Sequence, residues 1–121
     1  MPTIAVVFAP HFEEESKRLG ATPTHISAGR RLAQLYAEEN ELAEIKDIEV
    51  TRHPKFYPWQ RLKEKRFTVR VIVEQIIDDQ GNETITVHCA LPRWSDTYDE
   101  VKALWKKYRT RITPPPQTSN P

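Results

Sequence analysis

Two neighbouring β-rich runs of the sequence carry side chains that could transfer protons and bind phosphate. The runs are Phe67–Ile77 and Glu83–Leu91, and they contain Arg70, Glu74 and His88. A guanidinium group can bind two phosphate oxygens at once, and a carboxylate and an imidazole can serve as general base and general acid. We therefore take these three residues as candidates for the centre of a functional site.

The polar spacer between the two runs predicts that they form a β-hairpin. The spacer, residues 78–82, contains Gly81 and Asn82, which tolerate the positive φ of a tight reversal. A five-residue loop would pair Ile77 with Glu83, Glu74 with Thr86, Ile72 with His88, and Arg70 with Ala90. Glu74 and His88 would then lie one diagonal step apart on the same face of the hairpin.

This register gives the hairpin one apolar face and one mixed face. The apolar face, which we expect to be core, carries Val69, Val71, Val73, Ile85, Val87, Cys89 and Leu91. The opposite face carries Arg70, Glu74, Thr84, Thr86 and His88, together with Ile72 and Ile76. Ionisable groups collected on one face require water or a substrate. The alternative is structural: Arg70 and Glu74 would form an exposed ion pair, worth about 0–1 kcal/mol, and His88 would be a packing residue.

Charge is segregated along the chain, although the formal net charge is only +1. Residues 36–49 hold six acids against one lysine, and residues 52–70 hold seven bases against one acid. A second basic cluster comprises Lys102, Lys106, Lys107, Arg109 and Arg111. Such segregation favours a polyanion or an acidic protein as partner, and the alternative is a solvated surface without a partner.

Length and composition indicate a single globular domain. The chain has 121 residues, of which 38% are hydrophobic and 29% charged. We expect residues 1–112 to form the domain and the Pro-rich residues 113–121 to be a disordered tail. The lone cysteine excludes an internal disulfide framework and suits a reducing compartment. No apolar run is long enough for a membrane span, and Met1–Pro10 is too short for a signal peptide, so we expect a cytoplasmic protein without a membrane partner.

The order of predicted elements favours an α+β fold. A strand over Thr3–Phe8 precedes helices over His11–Leu19 and about Ser27–Ile45, and the segment Asp47–Gln60 is less regular. The hairpin follows, and a last helix begins near Thr97. We expect an antiparallel β-sheet with the two N-terminal helices packed on one face, and a C-terminal helix.

This order resembles the RelE/ParE superfamily of small bacterial toxins, whose ribosome-dependent members cut messenger RNA. Residues 6–12 with Lys17-Arg18-Leu19 are similar to the family's opening strand and first helix. Residues 63–65, followed by residues 69–72, resemble its basic segment and the strand that bears its arginine. Residues 94–98, before an amphipathic helix, resemble its closing segment.

The resemblance implies a β-α-α-β-β-β-α toxin of a type II toxin–antitoxin system. Its activity would be ribosome-dependent cleavage of messenger RNA, and a cognate antitoxin protein would hold it inactive. Lysines and arginines would supply the positive charge, so that no metal or other cofactor is expected. The alternatives are a ParE-like inhibitor of DNA gyrase and a non-catalytic adaptor that binds nucleic acid or protein.

Cleavage of RNA through its own 2′-hydroxyl needs a base, an acid and positive charge at the phosphate, and individual residues are candidates for these roles. Arg70 would stabilise the phosphate under attack, with Glu74 and His88 as base and acid. Arg93 and Tyr98 would come from a segment that folds back beside them. The residues expected to hold neighbouring RNA phosphates are Arg61, Lys63, Lys65 and Arg66.

Overall fold

The fold is α+β, as predicted, with one five-stranded sheet and three helices. The computed structural model describes residues 3–41, 48–52, 54–92 and 97–112. The predicted tail at 113–121 lies outside these residues, as does the end of the second predicted helix. The elements are β1 (Ile4–Phe8), α1 (Phe12–Arg18), α2 (Pro23–Glu41), β2 (Glu49–Arg52), a short 3₁₀ turn (Pro54–Phe56), β3 (Trp59–Lys63), β4 (Val69–Ile77), β5 (Glu83–Pro92) and α3 (Thr97–Ile112). None of the described helices is long and apolar enough to cross a membrane.

The sheet is mixed, which corrects the expectation of an antiparallel sheet. Its strand order is β1-β5-β4-β3-β2, and β1 runs parallel to β5 while the other neighbours are antiparallel. The two helices between β1 and β2 form a connection long enough to place β1 at the far side of the sheet, beside the last strand. The sheet also has one strand more than expected, because Trp59–Lys63 forms β3 within a region that its prolines made look irregular.

The turn of the β4–β5 hairpin follows the prediction. Ile77 pairs with Glu83, and Glu74 pairs with Thr86. Gly81 adopts a φ of 85°, which an L side chain rarely adopts. The loop therefore spans five residues, as its composition indicated.

Beyond Val73 the predicted register is wrong, because β5 contains a bulge. The shift lies between Ile72 and Val73 on β4, where β5 has one extra residue, His88. Ile72 therefore pairs with Cys89 instead of His88, and Arg70 with Leu91 instead of Ala90. Since side chains alternate along a strand, one extra residue reverses the facing of everything beyond it. Cys89 and Leu91, predicted on the same face as Val87, lie on the opposite face.

Each face of the sheet carries its own hydrophobic cluster. We call the two sides the α2 face and the α3 face. The α2 face is packed by Leu32, Ala33 and Tyr36 of α2 against Leu62, Val69, Val71, Val73, Ile85, Val87 and Ala90. The α3 face is packed by Val101, Leu104 and Tyr108 of α3 against Phe56, Trp59, Ile72, Cys89 and Leu91. The face predicted to meet water or substrate is therefore largely covered by α3.

Helix α1 does not lie on one face only, which differs from the expected arrangement. Phe12 belongs to the cluster on the α2 face, whereas Leu19 packs against the cluster on the α3 face. Between them, Ser16 Oγ accepts a hydrogen bond of 2.9 Å from the backbone N–H of Ala90, just past the bulge. Helix α1 therefore lies beside the part of β5 that follows the bulge, beyond the last residue that pairs with β1.

Helix α2 approaches β5 closely at Gly29. A Cβ atom at this position would lie 2.6 Å from Cβ of Ala90. Glycine in the middle of a helix costs roughly 0.5–1 kcal/mol relative to alanine. Here it allows the helix to pack directly on the strand.

Candidate functional site

Three cations lie together on the α3 face, where β3 ends and β4 begins. Lys63 and Arg70 are register partners, and Arg61 lies two residues before Lys63 on the same face. The side chains of Arg61 and Lys63 are 23% and 29% exposed, so each is partly withdrawn from water without being sealed. We call Arg61, Lys63 and Arg70 the cationic patch.

The cationic patch is weakly neutralised. Glu49 of β2 places Oε1 3.7 Å from Nη2 of Arg61 and 3.9 Å from Nζ of Lys63, and its own side chain is mostly exposed. Burial and the nearby charge of Arg70 both lower the pKa of Arg61, against the opposing effect of Glu49. The Nε of Arg61 is buried and has no hydrogen-bond acceptor among the described residues. An anion placed there would meet several cations from neighbouring strands.

The turn between β3 and β4 carries two exposed cations and one buried acid. Lys65 and Arg66 are both exposed. Glu64, whose side chain is buried, accepts hydrogen bonds from the backbone N–H and the guanidinium of Arg66. Arg66 is therefore partly neutralised and holds the turn, whereas Lys65 extends the cationic patch toward solvent.

Glu74 and His88 lie on the same face of the sheet, as predicted, and in contact with each other, but they are buried and not on an open substrate face. Both side chains are fully enclosed, and His88 Nε2 lies 3.0 Å from Oε1 of Glu74. The ring of Trp59 stacks on His88 at 3.9 Å between centroids. Burial lowers the pKa of His88 in spite of the opposing carboxylate of Glu74. The expectation that this pair meets a substrate is wrong, because β3 and α3 cover it.

The buried pair continues into a histidine that the sequence did not single out for this site. His88 Nδ1 lies 3.1 Å from Nε2 of His11, which is only partly buried. The ring of His11 in turn stacks on Tyr108 of α3, with centroids 3.5 Å apart. His11 follows β1 by three residues, and β1 is parallel to β5 with Phe8 opposite Val87. Only that parallel register places His11 beside His88, so the hairpin pattern alone could not reveal it.

Another buried acid, Glu15, joins α1 to α3. Its carboxylate accepts hydrogen bonds from Arg18 Nε at 2.7 Å, from Lys107 Nζ at 2.7 Å and from the Tyr108 hydroxyl. Burial alone would raise its pKa, but the three hydrogen bonds outweigh burial and lower it to about 2. The sequence contained a signal, because Glu15 falls at helical spacing between Phe12 and Leu19 on the buried stripe of α1.

Of the two remaining predicted site residues, the structure describes the position of Tyr98 in the fold but not that of Arg93. Arg93 lies outside the described residues. Tyr98 falls in the first turn of α3, a helix that does pack on the predicted face. Among the described ranges, His, Cys, Asp and Glu side chains form no cluster of three or more that could hold a metal ion.

The arrangement therefore separates two chemistries that the sequence had combined. The cationic patch is open and suited to phosphate, while the Glu74–His88 pair is closed and linked to His11. No family model, no curated protein and no solved structure matches the chain.

Proposed function

We propose that the chain binds RNA through the cationic patch and acts as the toxin of a type II toxin–antitoxin system. Its target would be messenger RNA on the ribosome, in the cytoplasm, and its activity a metal-independent cleavage that stops translation. The observation that carries the proposal is the grouping of Arg61, Lys63 and Arg70 on one partly exposed area of the sheet, where the exposed carboxylate of Glu49 lies 3.7 Å or more from Arg61 and Lys63.

Electrostatics support RNA as the ligand of the cationic patch. Lysines and arginines that neutralise backbone phosphates release counterions, and this release drives binding. Lys65 in the adjacent turn continues the line of charge beyond the sheet. The same surface suits an acidic antitoxin segment, which would order itself on binding and cover the cations.

Within this proposal, the 2′-hydroxyl of the RNA loses its proton to a base and attacks the adjacent phosphorus, and the bond to the 5′-oxygen of the next nucleotide breaks as that oxygen takes up a proton. Arg70 stabilises the charge that develops on the phosphate, and charge aimed in this way is often the largest single contribution to catalysis. Glu74 and His88 are enclosed and do not reach the RNA. Tyr98, in the first turn of α3, is the candidate for proton transfer, and the guanidinium of Arg93 would add positive charge at the phosphate.

The burial of Glu74 and His88 favours a second candidate, a binding protein without nuclease activity. Such a protein would use the cationic patch to hold nucleic acid or an acidic surface of a target protein such as DNA gyrase. Both candidates predict a role for the patch in binding. They differ in whether RNA is cut and in whether translation or DNA replication stops.

Binding is tested by fluorescence anisotropy with a labelled single-stranded RNA at several salt concentrations. Lys63→Gln should weaken binding and reduce the slope of log affinity against log salt by about 0.7, the contribution of one phosphate contact in a single strand. Lys17→Gln removes the same charge from α1 and is the matched control. Equal effects of the two substitutions would show that binding follows net charge and not the patch.

Toxicity is tested by induced expression with pulse labelling of protein and DNA synthesis, followed by mapping of transcript ends. We expect protein synthesis to stop and transcripts to be cut, and Arg70→Ala to abolish both effects while the protein stays folded. Failing DNA replication with normal translation would establish the gyrase alternative. Growth without arrest would favour the non-catalytic binding protein.

A further inference from the structure

Strand β1 leaves one row of backbone hydrogen-bonding groups without a strand partner in the part of the chain that the structure describes. β1 is the edge of the sheet and its strand neighbour there is β5. The carbonyl of Thr3 accepts from Glu83 N–H at 2.7 Å, and Ala9 N–H donates to the Val87 carbonyl at 2.9 Å. In a parallel ladder alternate residues bond to the neighbouring strand. The intervening residues Ile4, Val6 and Phe8 therefore direct their N–H and C=O groups away from the sheet.

The two edges of this sheet differ in their protection against pairing with another strand. The opposite edge, β2, carries the charged side chains of Glu49 and Arg52, both exposed. β1 has no charged residue, no proline and no bulge over its whole length. Its Val7 side chain is 47% exposed. Proteins usually blunt edge strands with charge, proline or a bulge, and β1 uses none of these.

The sequence of β1 is complementary to itself in the antiparallel direction. When two copies are placed about a twofold axis at Val6, Ile4 of one copy lies opposite Phe8 of the other, and Val6 lies opposite Val6. These are the residues whose backbone groups point outward, so each facing pair can exchange both of its hydrogen bonds. Of the residues between these, the small Ala5 lies opposite the larger Val7 of the second copy. A shift of two residues in either direction would leave one outward residue of each copy without a partner.

We propose that two copies of the chain associate through β1, antiparallel about Val6, so that one continuous sheet spans both copies. The absence of charge on β1 favours a second copy over an acidic or basic partner, since there is nothing on the strand for a counter-charge to recognise. A contact between two five-residue strands is smaller than the roughly 1,200 Å² of a stable interface, so we expect the dimer to be weak. This interface lies at the opposite edge of the sheet from β2, beside which the cationic patch sits, and does not depend on the proposed function.

The test is sedimentation equilibrium of the full chain from about 5 to about 500 µM, the range in which a weak interface populates both states. Amide hydrogen exchange at the same concentrations reports on the edge directly. We expect a monomer–dimer equilibrium, with the Val6 amide becoming protected as the dimer forms. A chain that stays monomeric over the whole range overturns the proposal.

Two variants locate the contact. Val6→Pro removes an outward N–H, a change tolerated at a sheet edge, and should shift the equilibrium to monomer. Val7→Lys places a charge on the exposed side of the same strand and decides the question if the proline variant fails to fold. Ile77→Lys, at another exposed apolar position, is the matched control. A dimer that survives Val7→Lys, or that is lost equally with Ile77→Lys, shows that the contact lies elsewhere.

Discussion

The carboxylate of Glu15 should stabilise the folded chain by holding α3 against α1. Replacing it with glutamine keeps its size but removes the charge that Arg18, Lys107 and Tyr108 hold. The fall of its pKa from 4.5 to about 2 corresponds to about 3 kcal/mol of stability at neutral pH. Arg18 and Lys107 are about half exposed, and solvent screening weakens their contribution. We therefore expect Glu15→Gln to lower the free energy of unfolding by about 2 kcal/mol.

The pH dependence supplies a second, sharper expectation. A carboxyl group with a lowered pKa in the folded state stabilises the protein above its unfolded pKa and loses that contribution as pH falls toward the folded value. The difference between the wild-type chain and Glu15→Gln should therefore be constant between pH 7 and 5 and shrink from pH 4.5 toward about 2. Urea unfolding followed by tryptophan fluorescence measures both quantities.

The matched control is Glu13→Gln, two positions before Glu15 on the same helix. Glu13 is exposed and has ion pairs with Lys17 at 3.5 Å and Arg30 at 3.1 Å. Exposed pairs contribute little, so we expect a loss below about 1 kcal/mol. If Glu15→Gln costs no more than Glu13→Gln, or if its cost does not change down to pH 3, the carboxylate does not hold α3 in the way described.

Three further expectations follow from buried positions. Gly29→Ala should lower the free energy of unfolding by about 1–3 kcal/mol because of the clash with Ala90, and adding Ala90→Gly should recover part of the loss in urea titrations. Burial raises the pKa of Cys89 to about 12, so iodoacetamide at pH 8 should leave it unmodified in the folded chain and alkylate it in urea, as mass spectrometry would show. The pKa of His88 is lowered in the folded state by burial, against the pull of Glu74, so stability should fall as pH drops below about 6.5. Urea midpoints between pH 8 and 5 measure that slope, and His88→Gln should flatten it.

Local patterns were sufficient to predict the elements that depend on neighbouring residues. The turn at residues 78–82, the pairing of Ile77 with Glu83 and the helix from Thr97 all follow from residues close in sequence. Periodicity and turn chemistry act over a few residues, and these elements required nothing more.

The candidate site depended on longer-range features and was predicted only in part. The cations of the patch lie close together because Lys63 and Arg70 flank a short turn. The exposure of Glu74 and His88 was predicted incorrectly, since it depends on Trp59 and α3, which are distant in sequence from the hairpin. A bulge has no local signature in a run of alternating β-branched and polar residues, so the facing of Cys89 could not be deduced from alternation.

The bulge at His88 also bears on how this strand could change length. Val73 pairs with Val87 and Ile72 pairs with Cys89, so the ladder on either side is in the phase that a strand lacking His88 would have. Removing this one residue would leave every remaining cross-strand pair and both faces as they are, whereas removing Val87 or Cys89 would put His88 into the ladder in its place. His88 is therefore supernumerary to the pairing of the sheet, and its place in the chain is accounted for by its imidazole, which lies between Glu74 and His11.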